Sequence, residues 1–98
     1  MLLIYDNDSD ALYVSFRDGV RVDRTEQIDP GTLIDLDRAG EIVGIEVLRP
    51  ARAWPIDEIL SRFPVAESDA LLLRSVFERS VSNERRYPFS RQARVKAS

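Results

Sequence analysis

The chain has 98 residues, of which 44% are apolar and 32% charged, and its formal net charge is −3. This length fits one domain, and the composition is that of a globular protein. The sequence contains neither cysteine nor histidine, which excludes disulfides, thiolate metal sites and imidazole bases. We therefore expect no cofactor, and any catalysis would depend on carboxylates, hydroxyls, Lys96 or arginines.

The charge is divided unevenly along the chain. Residues 1–84 carry all 17 acidic side chains and sum to −8, whereas residues 85–98 carry five basic side chains and no acid. Such a body repels nucleic acid, and such a basic segment attracts nucleic acid or an acidic protein. We predict one domain over residues 1–83 and a basic, flexible tail over residues 84–98.

The first residues run directly into Asp6, so we expect no signal peptide. No apolar run approaches the roughly 20 residues that span a membrane. We therefore expect a cytoplasmic protein with no membrane partner.

Alternating apolar residues predict strands at Leu2–Tyr5 and Ala11–Phe16, separated by the turn-forming cluster Asp6–Asp10. A three-residue loop, Arg17–Gly19, with Gly19 in the left-handed conformation, would then place Phe16 opposite Val20 and Val14 opposite Val22.

Asp29-Pro30-Gly31 predicts a second turn, because proline and glycine favour its central positions. Thr32–Leu36 and Glu41–Leu48 then form a hairpin around residues 37–40, with Ile34 opposite Val43. Pro50 ends the strand region.

Two helices follow the strands in this prediction. Pro55 suits the first position of a helix over residues 55–63, which Pro64 ends. Ser68 is a favourable N-cap for a helix over residues 68–82. The expected fold class is α+β, with a four- to five-stranded antiparallel meander over residues 1–49 and at least one helix packed on it.

Strand parity assigns an unusually apolar set of residues to the outer face of this sheet. A single layer of helices covers only one face, so we expect a second subunit to cover the other, most simply as a homodimer. Trp54 serves either as a lid over the core or as an interface residue. The candidate interface consists of Leu3, Tyr5, Tyr13, Leu33, Asp35, Ile42, Glu46, Leu48 and Trp54.

Several segments together resemble a known pattern. They are Tyr5-Asp6, Asp10-Ala-Leu-Tyr-Val14, Leu33-Ile-Asp-Leu-Asp37 and Gly40-Glu-Ile-Val-Gly-Ile-Glu-Val-Leu48. This half of the chain resembles the small bacterial family called domain of unknown function 2283. The resemblance implies a small β-rich fold with a helix and no assigned activity. It also implies an association with toxin–antitoxin-type gene pairs, and hence a protein-neutralising role.

Two acidic groups are candidates for chemistry. Asp6, Asp8 and Asp10 suggest a calcium loop, but Ala11 and Arg17 occupy the positions where an EF-hand needs glycine and glutamate. A solvated turn or a weak divalent-cation site remains.

The second acidic group is Asp35, Asp37, Glu41 and Glu46, around one hairpin. Asp37 and Glu41 flank its exposed turn, whereas Asp35 and Glu46 share the outer face. They are interpreted as ion pairs with arginines such as Arg17 or Arg21, as a solvated surface, or as a functional site. Gly44 indicates a bulge or a close approach by another group, for which the candidates are Leu33 or a partner backbone, and then a ligand.

The tail combines basic and aromatic residues, which suits either single-stranded nucleic acid or an acidic protein groove. Its candidate contacts are Arg85, Arg86, Tyr87, Phe89, Arg91, Arg94 and Lys96. We predict a non-catalytic, homo-oligomeric protein-binding module, antitoxin-like in its narrowest form. The alternatives are a nucleic-acid-associated protein that uses the tail, and then a carboxylate-based enzyme or metal-binding protein.

Overall fold

A computed structural model describes residues 1–82 and 94–96. Five strands precede two helices, and a short sixth strand follows them. The strands are β1 Leu2–Asp6, β2 Ala11–Ser15, β3 Arg24–Asp29, β4 Thr32–Leu36, β5 Ile42–Leu48 and β6 Arg94–Lys96, and the helices are α1 Ile56–Arg62 and α2 Glu67–Ser82. The predicted α+β class, an antiparallel sheet followed by two helices, is confirmed.

All six strands form one antiparallel sheet in the order β3-β4-β5-β2-β1-β6. The β1–β2 hairpin and the β3–β4–β5 meander therefore lie side by side, joined by the β2–β5 pairing. The predicted turn at Pro30-Gly31 is confirmed, since Asp29 and Thr32 face each other across it.

The predicted hairpin that follows β2 is wrong. No strand begins at Val20, and β2 pairs with β5 instead, with Val14 opposite Ile45. The Phe16 N–H continues this pairing by donating to the Val43 carbonyl at 2.8 Å. Gly19 does adopt the predicted left-handed conformation, with φ of 79°. The local turn chemistry was therefore identified, but its strand partner lies far along the sequence.

The register between β4 and β5 also differs from the prediction. Ile34 lies opposite Ile45 rather than Val43, and a bulge between Asp35 and Leu36 places Ile42 opposite Leu36. A bulge adds one residue to one strand and reverses the parity beyond it. This reversal moves Ile42 to the face that carries Leu36.

Both helices contribute to the core on one face of the sheet, which we call the inner face. Trp54, Ile56, Ile59 and Phe63 come from α1 and its flanks, and α2 adds Leu73 and Val76. Their sheet partners are Leu3, Tyr5, Leu12, Val14, Ile34, Leu36, Ile42, Ile45 and Val47. This core explains the 3.6-residue apolar periodicity of α2 and the period of two in the strands.

The helix boundaries differ slightly from the predicted ones. Helix α2 begins at Glu67, so Ser68 lies inside its first turn and is not the N-cap. The Ala70 N–H already donates to the Ala66 carbonyl at 2.9 Å, which starts the helix earlier than the capping preference suggested. Pro55 is the N-cap of α1 rather than its first residue.

Strand β6 lies within the segment predicted as a flexible tail. Its three residues pair antiparallel with β1, with Val95 opposite Leu3. The sequence-based prediction did not include this strand. Within the described ranges, neither helix has the length and apolar character needed to cross a bilayer.

Candidate interaction surface

The face of the sheet opposite the helices, here called the outer face, carries a mixture of half-buried apolar and polar side chains. The register places Leu2, Ile4, Tyr13, Leu33 and Leu48 on it, together with Thr25, Asp35 and Glu46. The five apolar members are each half-buried. In the described part of the chain, both helices lie on the other face.

Five of the predicted interface residues lie on this face: Tyr13, Leu33, Asp35, Glu46 and Leu48. The other four are buried in the core instead. Leu3 and Tyr5 face inward because they lie opposite Val14 and Leu12, so β1 has the opposite parity to the predicted one, whereas β2 has the predicted parity.

Ile42 faces inward because of the bulge beside Leu36. Trp54 is 2% exposed and packs edge-to-face on Phe77, with ring centroids 5.1 Å apart. Its predicted role as a lid over the core agrees with this position. Its alternative role as a surface contact is wrong.

Tyr13 spans three strands of the outer face. Its ring lies over Gly44, where a Cβ atom would overlap the phenol. Its hydroxyl donates to Asp35 Oδ2 at 2.8 Å, and Thr25 Oγ1 donates to Asp35 Oδ1 at 2.6 Å. A hydrogen-bonded chain therefore crosses from β2 over β5 to β4 and β3, and both carboxylate oxygens of Asp35 have a donor.

This close approach explains Gly44. A glycine inside a strand often marks a place where another group comes near the backbone. The prediction of a close approach is confirmed, but the approaching group is Tyr13 of the same chain rather than Leu33 or a partner backbone.

The environment keeps the Tyr13 phenol protonated. Burial raises its pKa above the ordinary value of 10.0, and the hydrogen bond to Asp35 and the charges of Asp35 and Glu46 raise it further. At neutral pH the hydroxyl is thus a hydrogen-bond donor and not a base. Because the folded pKa exceeds the unfolded one, its contribution to stability is present below pH 10.0 and is lost as pH rises through the folded pKa.

The predicted ion pairs between the outer-face carboxylates and arginines are wrong for Arg17. Its guanidinium donates to Asp37 Oδ2 at 2.6 Å and lies 3.7 Å from Glu41. Among the side chains of residues 1–81, no cation lies within salt-bridge distance of Asp35 or Glu46.

The Asp37 carboxylate organises the β4–β5 turn. It accepts the Arg17 guanidinium on one oxygen and the N–H groups of Ala39 and Glu41 on the other, at 3.0 and 2.9 Å. The hydrogen bond from Arg17, followed by that from the Glu41 N–H, holds the pKa of Asp37 below its usual value of 3.8.

A second polar cluster, which sequence reasoning missed, braces the β3–β4 turn. Arg52 donates to Asp29 Oδ1 and Thr32 Oγ1, each at 3.3 Å, and to the Leu48 carbonyl at 3.2 Å. Its guanidinium occupies the space that a Cβ atom at Gly31 would need. In the sequence, the sign of this close packing is Gly31, which the turn pattern explains only as a turn residue.

Asp29 is held in its charged form within this cluster. Burial alone would raise its pKa, but hydrogen bonds from Thr32, the Gly31 N–H and Arg52 outweigh burial and lower it.

The acidic turn of Asp6, Asp8 and Asp10 forms local hydrogen bonds. Asp6 Oδ1 accepts the Asp8 N–H at 3.0 Å, and Asp10 Oδ1 accepts the Tyr5 hydroxyl at 2.7 Å. Over residues 1–82, no three acidic side chains converge as a metal site would require. The hydrogen bonds of Asp6 and Asp10 are those of a polar turn between β1 and β2.

Of the predicted tail contacts, Arg94 and Lys96 lie in β6, opposite Ile4 and Leu2 of β1. The remaining ones lie outside the described residues: Arg85, Arg86, Tyr87, Phe89 and Arg91.

The fold and this surface define a one-sided α+β protein, in which one antiparallel sheet carries its helices on a single face. Residues 3–49 match the family described as "Protein of unknown function (DUF2283)". The predicted resemblance to this family is confirmed over these residues, which comprise β1 from Leu3 onward and all of β2 to β5. No curated protein and no solved structure matches the chain.

Proposed function

We propose that this protein is a non-catalytic binding module that self-associates through its outer face. The observation that carries the proposal is the combination of half-buried apolar side chains with an internally satisfied polar chain. Leu2, Ile4, Leu33 and Leu48 share the outer face with Tyr13, whose hydroxyl is already hydrogen-bonded to Asp35. Tyrosine in such a setting is typical of interface centres.

Desolvation supports the same conclusion. A buried polar group costs free energy when it loses water without gaining a partner. Asp35 accepts two hydrogen bonds within the chain, from Tyr13 and Thr25. When a partner covers Asp35 and displaces water, each of its carboxylate oxygens therefore keeps a hydrogen-bond donor. The outer face can therefore be covered by protein at a smaller cost than its carboxylate content suggests.

The simplest partner for such a face is the same face of a second copy. Most soluble homo-oligomers are two-fold dimers in which one patch contacts itself. In the narrower form of the proposal, the dimer is antitoxin-like and neutralises another protein in the cytoplasm. This form is supported by the resemblance and not by any contact in the chain.

The test compares two leucine-to-lysine variants by analytical ultracentrifugation. Leu33→Lys places a charge on the outer face and should convert the dimer to a monomer. Leu71→Lys is the control, because Leu71 is 66% exposed on α2, on the helix side of the sheet. Circular dichroism verifies that both variants fold. Equal masses for Leu33→Lys and the unmodified protein would contradict the proposal.

A further inference from the structure

The two edges of the sheet are protected in different ways. An exposed strand edge tends to pair with other chains unless charges, proline or a covering segment prevent it. The β3 edge carries Arg24 and Glu26 and ends at Pro30, with Asp29 held by Arg52. The β1 edge has the sequence Leu-Leu-Ile-Tyr-Asp, and its cover is β6.

Strand β6, which covers the edge of β1, is short and pairs with one neighbouring strand. β6 has three residues against five in β1, and among the described elements its substantial contacts are with β1 alone. Eleven residues of sequence separate it from α2. Its position therefore depends on a short backbone ladder, unlike β1, β2, β4 and β5, which contribute residues to the inner core.

The residue types of β6 indicate which kind of strand can pair with the β1 edge. Val95 lies opposite Leu3, a core residue, and basic residues lie opposite Ile4 and Leu2 on the outer-face register. The body that receives the strand sums to −8, and Asp6 and Asp8 are exposed at the end of β1. A basic–apolar–basic extended segment therefore fits the edge in both pairing and charge.

We propose that the β1 edge is a docking site for an extended, basic–apolar–basic segment of another protein. In the free protein, β6 occupies this site as an intramolecular competitor. This inference goes beyond the outer-face association and does not depend on it, because the edge and the face are different surfaces.

The test uses the full-length chain and a free peptide with the sequence of residues 90–98. The double variant Arg94→Pro/Val95→Pro releases β6, because successive residues of an antiparallel strand direct their N–H groups to opposite sides, and one of the two must face β1. The fluorescently labelled peptide is titrated into each protein, and binding is followed by fluorescence anisotropy.

The expected result is that the peptide binds the double variant at least roughly tenfold more tightly than the unmodified protein, since a short connection holds a competing strand at about millimolar effective concentration. The charge-matched control is the same peptide N-methylated at the positions of Arg94 and Val95, which should not bind. Equal affinity for both proteins, or equal binding of the methylated peptide, would overturn the proposal.

Two further outcomes are distinguishable. A double variant that loses its dimer and binds no peptide would overturn the proposal, because strand exchange between copies would then account for β6. If the double variant does not fold, the unmodified chain is studied by NMR at millimolar peptide. Displacement shifts the Arg94, Val95 and Lys96 amide signals of the protein to the positions of an unpaired strand, which supports docking, and unchanged signals of these residues contradict it.

Discussion

Tyr13 and Gly44 are fitted to each other across two neighbouring strands. The phenol lies where a side chain at position 44 would be, and this position brings its hydroxyl to Asp35 at 2.8 Å. The pair thus links backbone geometry on β5 to the polar chain that crosses the outer face.

Replacing Gly44 by alanine should therefore destabilise the protein by about 1–3 kcal/mol, the range expected for overpacking. The added methyl group forces Tyr13 away from Gly44 and breaks its hydrogen bond to Asp35. Urea denaturation of the variant against the unmodified protein measures this loss.

The control is the same substitution in a Tyr13→Ala background. Without the phenol, alanine at position 44 should be neutral or slightly stabilising, because alanine restricts the unfolded chain more than glycine does. A double-mutant cycle isolates the coupling between the two residues. The same loss in both backgrounds would show that Tyr13 is not the reason for Gly44.

At the scale of the elements, α2 is held by a narrow apolar stripe. Leu73 is fully buried against the sheet, whereas Leu71, two residues earlier on the same helix, is 66% exposed. Leu73→Ala should lower the free energy of unfolding by about 2–5 kcal/mol, since it removes buried methyl groups and leaves a cavity.

Leu71→Ala is the matched control, with identical chemistry at an exposed position. Its effect should stay within about 0.5 kcal/mol. Thermal denaturation of the two variants side by side measures both effects. Similar losses for the two would contradict the packing of α2 on the inner face.

The elements also show how much of the fold the sequence could predict. The positions of β1, β2, β4 and β5, the left-handed conformation of Gly19, the turn at Gly31 and both helices follow from local patterns and agree with the prediction within a few residues. The β2–β5 pairing could not be predicted in this way, because it joins residues about thirty positions apart, and local turn signals favoured a hairpin after Phe16. The short strand β6 lies in a segment without alternation.

The residues of the outer face were predicted correctly only in strands where the alternation of side chains between the two faces was assigned correctly. Tyr13, Leu33 and Leu48 were assigned to the outer face correctly, and the side-chain period of two makes such assignments sensitive to a single inserted residue. The bulge beside Asp35 places Ile42 on the inner face instead of the predicted outer face. In β1 the two faces are exchanged relative to the prediction, so Leu2 and Ile4 were not predicted to lie on the outer face.

At the scale of the whole molecule, the carboxylates of Asp29 and Asp37 make the free energy of unfolding depend on pH in the acidic range. The pKa values of Asp29 and Asp37 are both lowered from 3.8 in the folded state. Their contribution is therefore present above pH 3.8 and is lost as pH falls through the folded pKa values.

The melting temperature should thus fall as pH is lowered below 3.8, and Asp37→Asn should show a smaller fall than the unmodified protein. Asp18→Asn is a suitable control, because Asp18 is exposed in the loop after β2. Calorimetry at a series of pH values measures both. An unchanged acid dependence in Asp37→Asn would contradict the role of the Arg17–Asp37 pair.

If the outer face is an interface between two copies, the unmodified chain is a dimer in solution. Multi-angle light scattering at two concentrations measures its mass. A dimer gives twice 11.2 kDa at both concentrations. A mass of 11.2 kDa at both would contradict self-association through the outer face.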